Sequence, residues 1–394
     1  MIRIWSEGGE ALVPCTVTEV RDEGTGFSPI TEPANCAGTY TLRSAKQTQC
    51  LRIEPHDGHW GMFVDIGSPD DQIHCISMGD PDLPWWQVAV GARSPAVHSA
   101  RGIKIGIIDV LFRPGPNLVD FELTEPGRLE EFSSTSADGH GRQVSAIVAG
   151  RGPGKYRGLA RDAQVFFIDA SVADDTGAAS ETVLDHARVV DGIRNLWENY
   201  DADIINLSCG FGTQDLPDLE EAIELAADNG TICICAAGNS VMLPIEAPAR
   251  YEAAVAVCGV GFTGVADFPT FLGRLARKAE REKSPFGCEV KTWPHGVPFL
   301  HSGTAWGVEL NAFAPSLGIT LGSENGRIRE YYGTSYASPI VGSVLACALA
   351  GDQIYRKLAG RARYLHALRR LQEISVGLDL APGGSQAGMP LLQR

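Results

Sequence analysis

The chain has 394 residues, of which 44% are hydrophobic and 21% charged; this excludes a disordered or low-complexity protein and is enough for one large core plus a smaller one. Lys and Arg number 33 against 48 Asp and Glu, a formal net charge of -15, which argues against nucleic acid and anionic membrane as general partners while leaving basic or neutral peptides acceptable. No apolar run reaches membrane-span length, and Met1-Ile2-Arg3-Ile4-Trp5 is not a basic segment leading into an apolar one, so the expected location is the cytoplasm.

Residues 1-83 differ in texture from the rest. Short segments around Gly38–Leu42, Cys50–Ile53, Met62–Ile66 and Gln72–Ser77 are separated by Gly, Asp and Pro, which predicts a small antiparallel, β-rich domain. His56, His59 and His74 fall here at spacings that fit no metal site and read as surface histidines. The role of this domain is open between an accessory or inhibitory module and a structural appendage. Of the ten cysteines, Cys209, Cys233, Cys235, Cys258 and Cys347 lie in apolar runs and read as reduced, buried residues. Cys15, Cys36, Cys50, Cys75 and Cys288 lack zinc-ligand spacing, and a disulfide framework among the first four is disfavoured.

From residue 84 the pattern becomes strand, helix, strand. Gly102–Asp109 is a continuous apolar run that ends in an acid, a buried parallel strand with Asp109 at its carboxyl end, where functional groups collect in open α/β sheets. His140 follows in a glycine-flanked turn entering a small-residue helix. Further strands are expected at Gln164–Asp169, Asp203–Ser208, Thr231–Asn239 and Ala253–Cys258, with helices from about Glu181 to Asn199 and Leu216 to Asn229. Alternation of this kind means an α/β fold, a parallel sheet flanked by helices. Residues from about 262 to 300 interrupt the rhythm with a short basic amphipathic helix, Phe271–Lys283, expected to be a solvated insertion or a contact for a partner or an acidic region. The sheet resumes near Val308–Pro315, and Gly333-Thr334-Ser335-Tyr336-Ala337-Ser338-Pro339 leads into a long apolar run. That places Ser335 at the start of a buried helix, where unpaired amides and the helix dipole favour negative charge.

Each of Asp109, His140, Asn239 and Ser335 has a bland reading as a cap or turn residue. Together they supply a nucleophile, a base, a group that orients the base and an oxyanion donor. The chain from about residue 84 onward resembles the subtilisin-like serine proteases. Asp, His and Ser occur in that family's order; Gly333–Pro339 resembles its G-T-S-M-A-x-P signature, His140-Gly141 with Val144 its H-G-T-H-V-A-G signature, and Ala237-Gly238-Asn239 its oxyanion turn. The resemblance implies a three-layer catalytic domain over residues 84-394, a catalytic triad of Asp109, His140 and Ser335, and an oxyanion donor in Asn239. It further implies that Ser208-Cys209-Gly210 lines the cleft and pairs with extended peptide. No cofactor is required for that chemistry. Members often bind calcium, but no acid cluster here can be assigned to it.

The chain departs from the family pattern at Val110-Leu111 after Asp109, at Arg142 and Gln143 after His140, at Tyr336 after Ser335, and at Pro315-Ser316. Arg142 is expected to point to solvent. The leading expectation is an intracellular serine endopeptidase acting on protein or peptide substrates, with an activator or inhibitor protein as a further partner. A catalytically silent peptide binder and an esterase or amidase using the same triad are the alternatives.

Overall fold

The computed structural model describes residues 1–22, 27–44, 48–56, 58–66, 72–79, 83–93, 99–110, 139–150, 158–173, 182–240, 244–281, 293, 295–300, 304–305, 307–322, 328–378, 380 and 387–392. Leu111 and Cys288 lie outside them.

The core is a mostly parallel sheet whose spatial order runs Gln164–Asp169, Lys104–Asp109, Ile204–Leu207, Ile232–Ala236, Ala254–Phe262, Leu310–Pro315, Gly388–Pro390 and Ser375–Gly377. Only the last pair on this path is antiparallel. The strands Ile204–Leu207, Ile232–Ala236 and Ala254–Phe262 are buried at every position, which is why they read as unbroken apolar runs rather than as alternating ones. Helices His186–Glu198 and Pro217–Asp228 pack together against the sheet, and His140–Ala149 packs with Thr334–Ala350. The result is a three-layer α/β architecture.

Register decides what the carboxyl edge presents. Leu207 pairs with Ile108 on one side and with Cys235 on the other, so Asp109, Ser208 and Ala236 come level, with Gly238 and Asn239 just beyond. The chain leaves the Lys104–Asp109 strand for one neighbour and later returns to the other. This is a topological switch point, where a crevice opens above the strand ends.

The N-terminal residues form a five-stranded and a three-stranded sheet around their own core of Ile4, Val13, Val17, Tyr40, Leu51 and Ile53. The strand at Cys15–Asp22, central to that arrangement, was not expected: Thr16, Thr18 and Glu19 break the apolar run that would have marked it. Cys15 and Cys36 face each other with their sulfurs 3.4 Å apart as thiols.

The expected basic helix runs Phe271–Arg281 and, rather than being solvated all round, buries Leu272, Gly273, Ala276 and Ala279. It receives the N-terminal sheet. Phe63 stacks on Phe271 at 5.3 Å, the Phe271 N–H donates to the Gly61 carbonyl at 2.8 Å, and Arg274 pairs with Asp65 at 3.0 Å. The Gly61 N–H donates to Glu330 at 2.5 Å, while Trp60 inserts into the main core. Burial pushes the Glu330 carboxyl up to about 7, against hydrogen bonds from Tyr332 and Gly61.

Two further expectations are corrected. The helix placed from about Glu181 begins at His186, because Thr182–Leu184 pairs as a short strand with Ser171–Ala173 and Asp185 caps the helix by accepting from the Arg188 N–H at 2.8 Å. Arg142 is buried, 5% exposed, rather than directed to solvent.

Candidate active site

Asp109 ends its strand fully buried, at 2% exposure. Its Oδ1 accepts from Nδ1 of His140 at 2.6 Å and from the Val110 N–H at 2.7 Å. Its Oδ2 has no hydrogen-bond partner among the described residues. His140 is the first residue of its helix, and the Gly141 N–H donates to the Val110 carbonyl at 2.8 Å. Strand end and helix start are thus stitched together beside the carboxylate. Burial pulls the imidazole pKa down, but the Asp109 charge and hydrogen bond outweigh it and hold the group above its ordinary value. Because the carboxylate can only accept, Nδ1 carries the proton and Nε2 is left with its lone pair.

Ser335 is half-buried at the start of the helix Thr334–Ala350. Gly333 precedes that helix with φ +136°, a backbone conformation that only glycine adopts without strain. Five residues into the helix, Pro339 has no N–H to give to the carbonyl of Ser335. The Ser208 hydroxyl supplies the bond instead, at 2.7 Å. Its single proton is then committed, so Ser338 donates to Ser208 across 3.0 Å, and Asn206 Nδ2 donates to it at 2.9 Å. The side chain of Ser208 therefore locks the Ser335 turn to the sheet.

The Ser335 hydroxyl donates to the Ser208 carbonyl at 3.3 Å. It makes no hydrogen bond to His140 in this conformation, although the rings of His140 and Tyr336 lie 5.9 Å apart.

Asn239 closes the strand Ile232–Ala236 through Gly238, whose φ is +108°. Asn239 Oδ1 accepts from the Thr334 N–H at 2.8 Å and from the Thr334 hydroxyl at 3.1 Å. A backbone N–H can only donate, which fixes the amide oxygen inward and turns Nδ2 outward. The Ser335 N–H has no acceptor among the described residues. The site thus holds two donors, Asn239 Nδ2 and the Ser335 amide, on the side of Ser335 where the helix dipole is positive.

Two departures from the family pattern turn out to be one contact. The Tyr336 hydroxyl donates to Gln143 Oε1 at 2.6 Å, joining the helix that carries His140 to the helix that carries Ser335. Cys209 is half-buried and Gly210 exposed beside the crevice. Sequence reasoning passed over Thr334, Asn206 and Ser338, whose roles depend on partners far away in the chain. Pro339 was visible in the sequence and could have signalled an orphaned Ser335 carbonyl. Among the described residues no group of three or more His, Cys, Asp or Glu side chains is placed to hold a metal ion.

Residues 100–377 match the Subtilase family. The chain belongs to that family and is a serine endopeptidase, a class that needs no cofactor for the hydrolysis itself. It is 26% identical over 263 residues to a protein named major intracellular serine protease from Bacillus subtilis (strain 168), covering 65% of this chain and 69% of that one. It is 29% identical over 183 residues to subtilisin BL from Lederbergia lenta, covering 44% and 62%. Among solved structures it is similar to the patellamide maturation protease PatA, with a TM-score of 0.52 and 22% identity over 73% of this chain and 91% of that chain. Residues 1–99 lie outside the family match.

Proposed function

We propose that Asp109, His140 and Ser335 are the catalytic triad of an intracellular endopeptidase, with Asn239 and the Ser335 N–H as oxyanion donors. The observation that carries this reading is the 2.6 Å bond from His140 Nδ1 to buried Asp109, which leaves Nε2 as the free base beside the helix start bearing Ser335. Extended peptide lies along Ser208-Cys209-Gly210. The Ser335 hydroxyl leaves the Ser208 carbonyl, passes its proton to Nε2 and attacks the scissile carbonyl. Charge develops toward Asn239 Nδ2 and the Ser335 amide. The imidazolium, steadied by Asp109, then returns the proton to the leaving amine, and water repeats the sequence on the acyl-enzyme.

A fluorophosphonate tests the assignment directly: the adduct should map to Ser335 on the folded protein, and a folded chain that takes no label there rejects it. Asn239→Ala should lower kcat by about a hundred-fold or more, the range found when this donor is removed from a subtilisin. It should also lower stability by roughly 1 kcal/mol, because the Thr334 N–H at the helix start loses its acceptor. Equal kcat in the two proteins would remove Asn239 from the oxyanion hole.

Intracellular placement is supported by the nine described cysteines, all free thiols, and by the likeness to a protease named as intracellular. For residues 1-83 we propose a module that stays docked, supported by the Phe63–Phe271 and Arg274–Asp65 contacts and by Trp60 in the main core. The intact mass should remain that of the full chain while peptidase activity is present. Loss of the first domain coincident with the onset of activity would reject the module.

A further inference from the structure

We propose that Glu246 is the specificity-determining residue of this enzyme, the floor of a pocket that takes a lysine or arginine side chain on the amino side of the scissile bond. The inference rests on the active-site reading above and adds to it the chemistry of the substrate.

Two backbone walls frame the position. One is Cys209-Gly210, continuing from Ser208; the other is Ala237-Gly238, leading to Asn239. The segment Glu246-Ala247 is laced into both. The Glu246 N–H donates to the Ala237 carbonyl at 3.0 Å, the Ala247 N–H donates to the Gly212 carbonyl at 2.8 Å, and the Ala247 carbonyl accepts from the Phe211 N–H at 2.8 Å. The side chain of Glu246 projects between the walls. A Cβ placed on Gly210 would run into its Oε2, and one placed on Gly238 into its Oε1. Glycine on both sides leaves room for the carboxylate where it stands. Neither glycine puts a side chain of its own over the carboxylate, which sits next to the proposed oxyanion donor Asn239 and two residues from the Ser208 carbonyl that touches Ser335.

The carboxylate is half-buried and only partly satisfied. Ser240 donates to Oε1 at 3.0 Å, and no Lys, Arg or His among the described residues pairs with it. The nearby Arg250 is engaged elsewhere, with Asp215 at 2.6 Å and the Thr213 carbonyl at 2.5 Å. A half-buried carboxylate without a cation has lost part of its hydration with no partner in exchange, and a substrate cation reaching it supplies one. The net charge of -15 adds a long-range attraction for the same substrates. An apolar side chain entering there would bury the charge with no compensation, so the pocket selects by rejection as well as by attraction.

The test compares peptide substrates that differ only in the residue before the cleaved bond, with Arg or Lys set against Phe or Leu, and with active sites counted by fluorophosphonate labelling of Ser335. The wild-type protein should favour the basic residues. Glu246→Gln keeps the shape and the Ser240 contact, and it should collapse the ratio of kcat/KM for basic over apolar residues by about thirty-fold or more. Glu246→Lys should turn the preference toward Glu and Asp. A wild-type protein that labels and cleaves but shows no basic preference, or a ratio untouched by Glu246→Gln, overturns the pocket assignment alone. A folded wild-type protein that neither labels nor cleaves overturns the active-site reading and the pocket with it.

Discussion

Ser335→Ala is expected to reduce kcat by about a million-fold, the loss caused by removing the nucleophile of a subtilisin, while leaving the fold and its thermal transition in place. The reason for so clean a separation lies in how the turn is held. The bonds that fix it run through the backbone of Ser335 and groups of its neighbours: the Ser208 hydroxyl to the Ser335 carbonyl, Ser338 to Ser208, and the Thr334 N–H to Asn239 Oδ1. The Ser335 hydroxyl contributes one part-buried contact of 3.3 Å to the Ser208 carbonyl, a bond near the outer limit of useful geometry. Deleting it removes the reactive atom and little else. Peptide cleavage and fluorophosphonate uptake should both vanish, whereas binding of an uncleaved peptide should persist. Undiminished turnover by the alanine variant would transfer the chemistry to another residue.

The parts of this site differed in how legible they were. Asp109 could be placed from the sequence because it terminates an apolar run that only a buried strand explains, and Ser335 because a crowd of small residues precedes a helix apolar on all sides. His140 and Asn239 owed their visibility to flanking glycines. What could not be read were contacts made by residues distant in sequence. Tyr336 and Gln143 each looked like an isolated departure from the family signature, yet their hydrogen bond makes them a single feature. Glu246 lies in an ordinary stretch, and the role proposed for it depends on two glycines in the segments that follow two other strands. The fold class followed from alternation alone. The Cys15–Asp22 strand did not, since its half-polar composition hides it, and the docking role of Phe271–Arg281 depends on a partner surface more than two hundred residues earlier.

Asp109→Asn should lower kcat by about 10⁴-fold, the loss this swap causes in other serine protease triads, and should also reshape the pH profile. In the native chain the carboxylate can only accept, so it holds the Nδ1 proton and leaves Nε2 basic. An asparagine amide can donate to Nδ1, which puts the ring proton on Nε2, the wrong nitrogen for taking the proton of Ser335. Three influences act on the imidazole: burial lowers its pKa, and the Asp109 charge and hydrogen bond together raise it above the ordinary value. The base must be neutral, so kcat/KM of the wild-type enzyme should climb with pH through that raised pKa. Removing the carboxylate leaves burial unopposed, and the acid limb of the residual activity should move to lower pH. The same linkage appears in folding. A histidine whose pKa is raised in the native state contributes stability that is fully present below its unfolded pKa and is lost as pH rises through the folded one. The stability gap between wild type and Asp109→Asn should therefore narrow on going from mildly acidic to alkaline pH, as read by denaturant midpoints. An acid limb that stays in place would show that Asp109 does not set the protonation of His140. The bare Oδ2 of Asp109 bears on the same experiment: with one backbone N–H and His140 as its described donors, nearly all of the carboxylate's hydrogen bonding passes through the oxygen that faces the imidazole, so replacing it perturbs the histidine with few other bonds to rearrange.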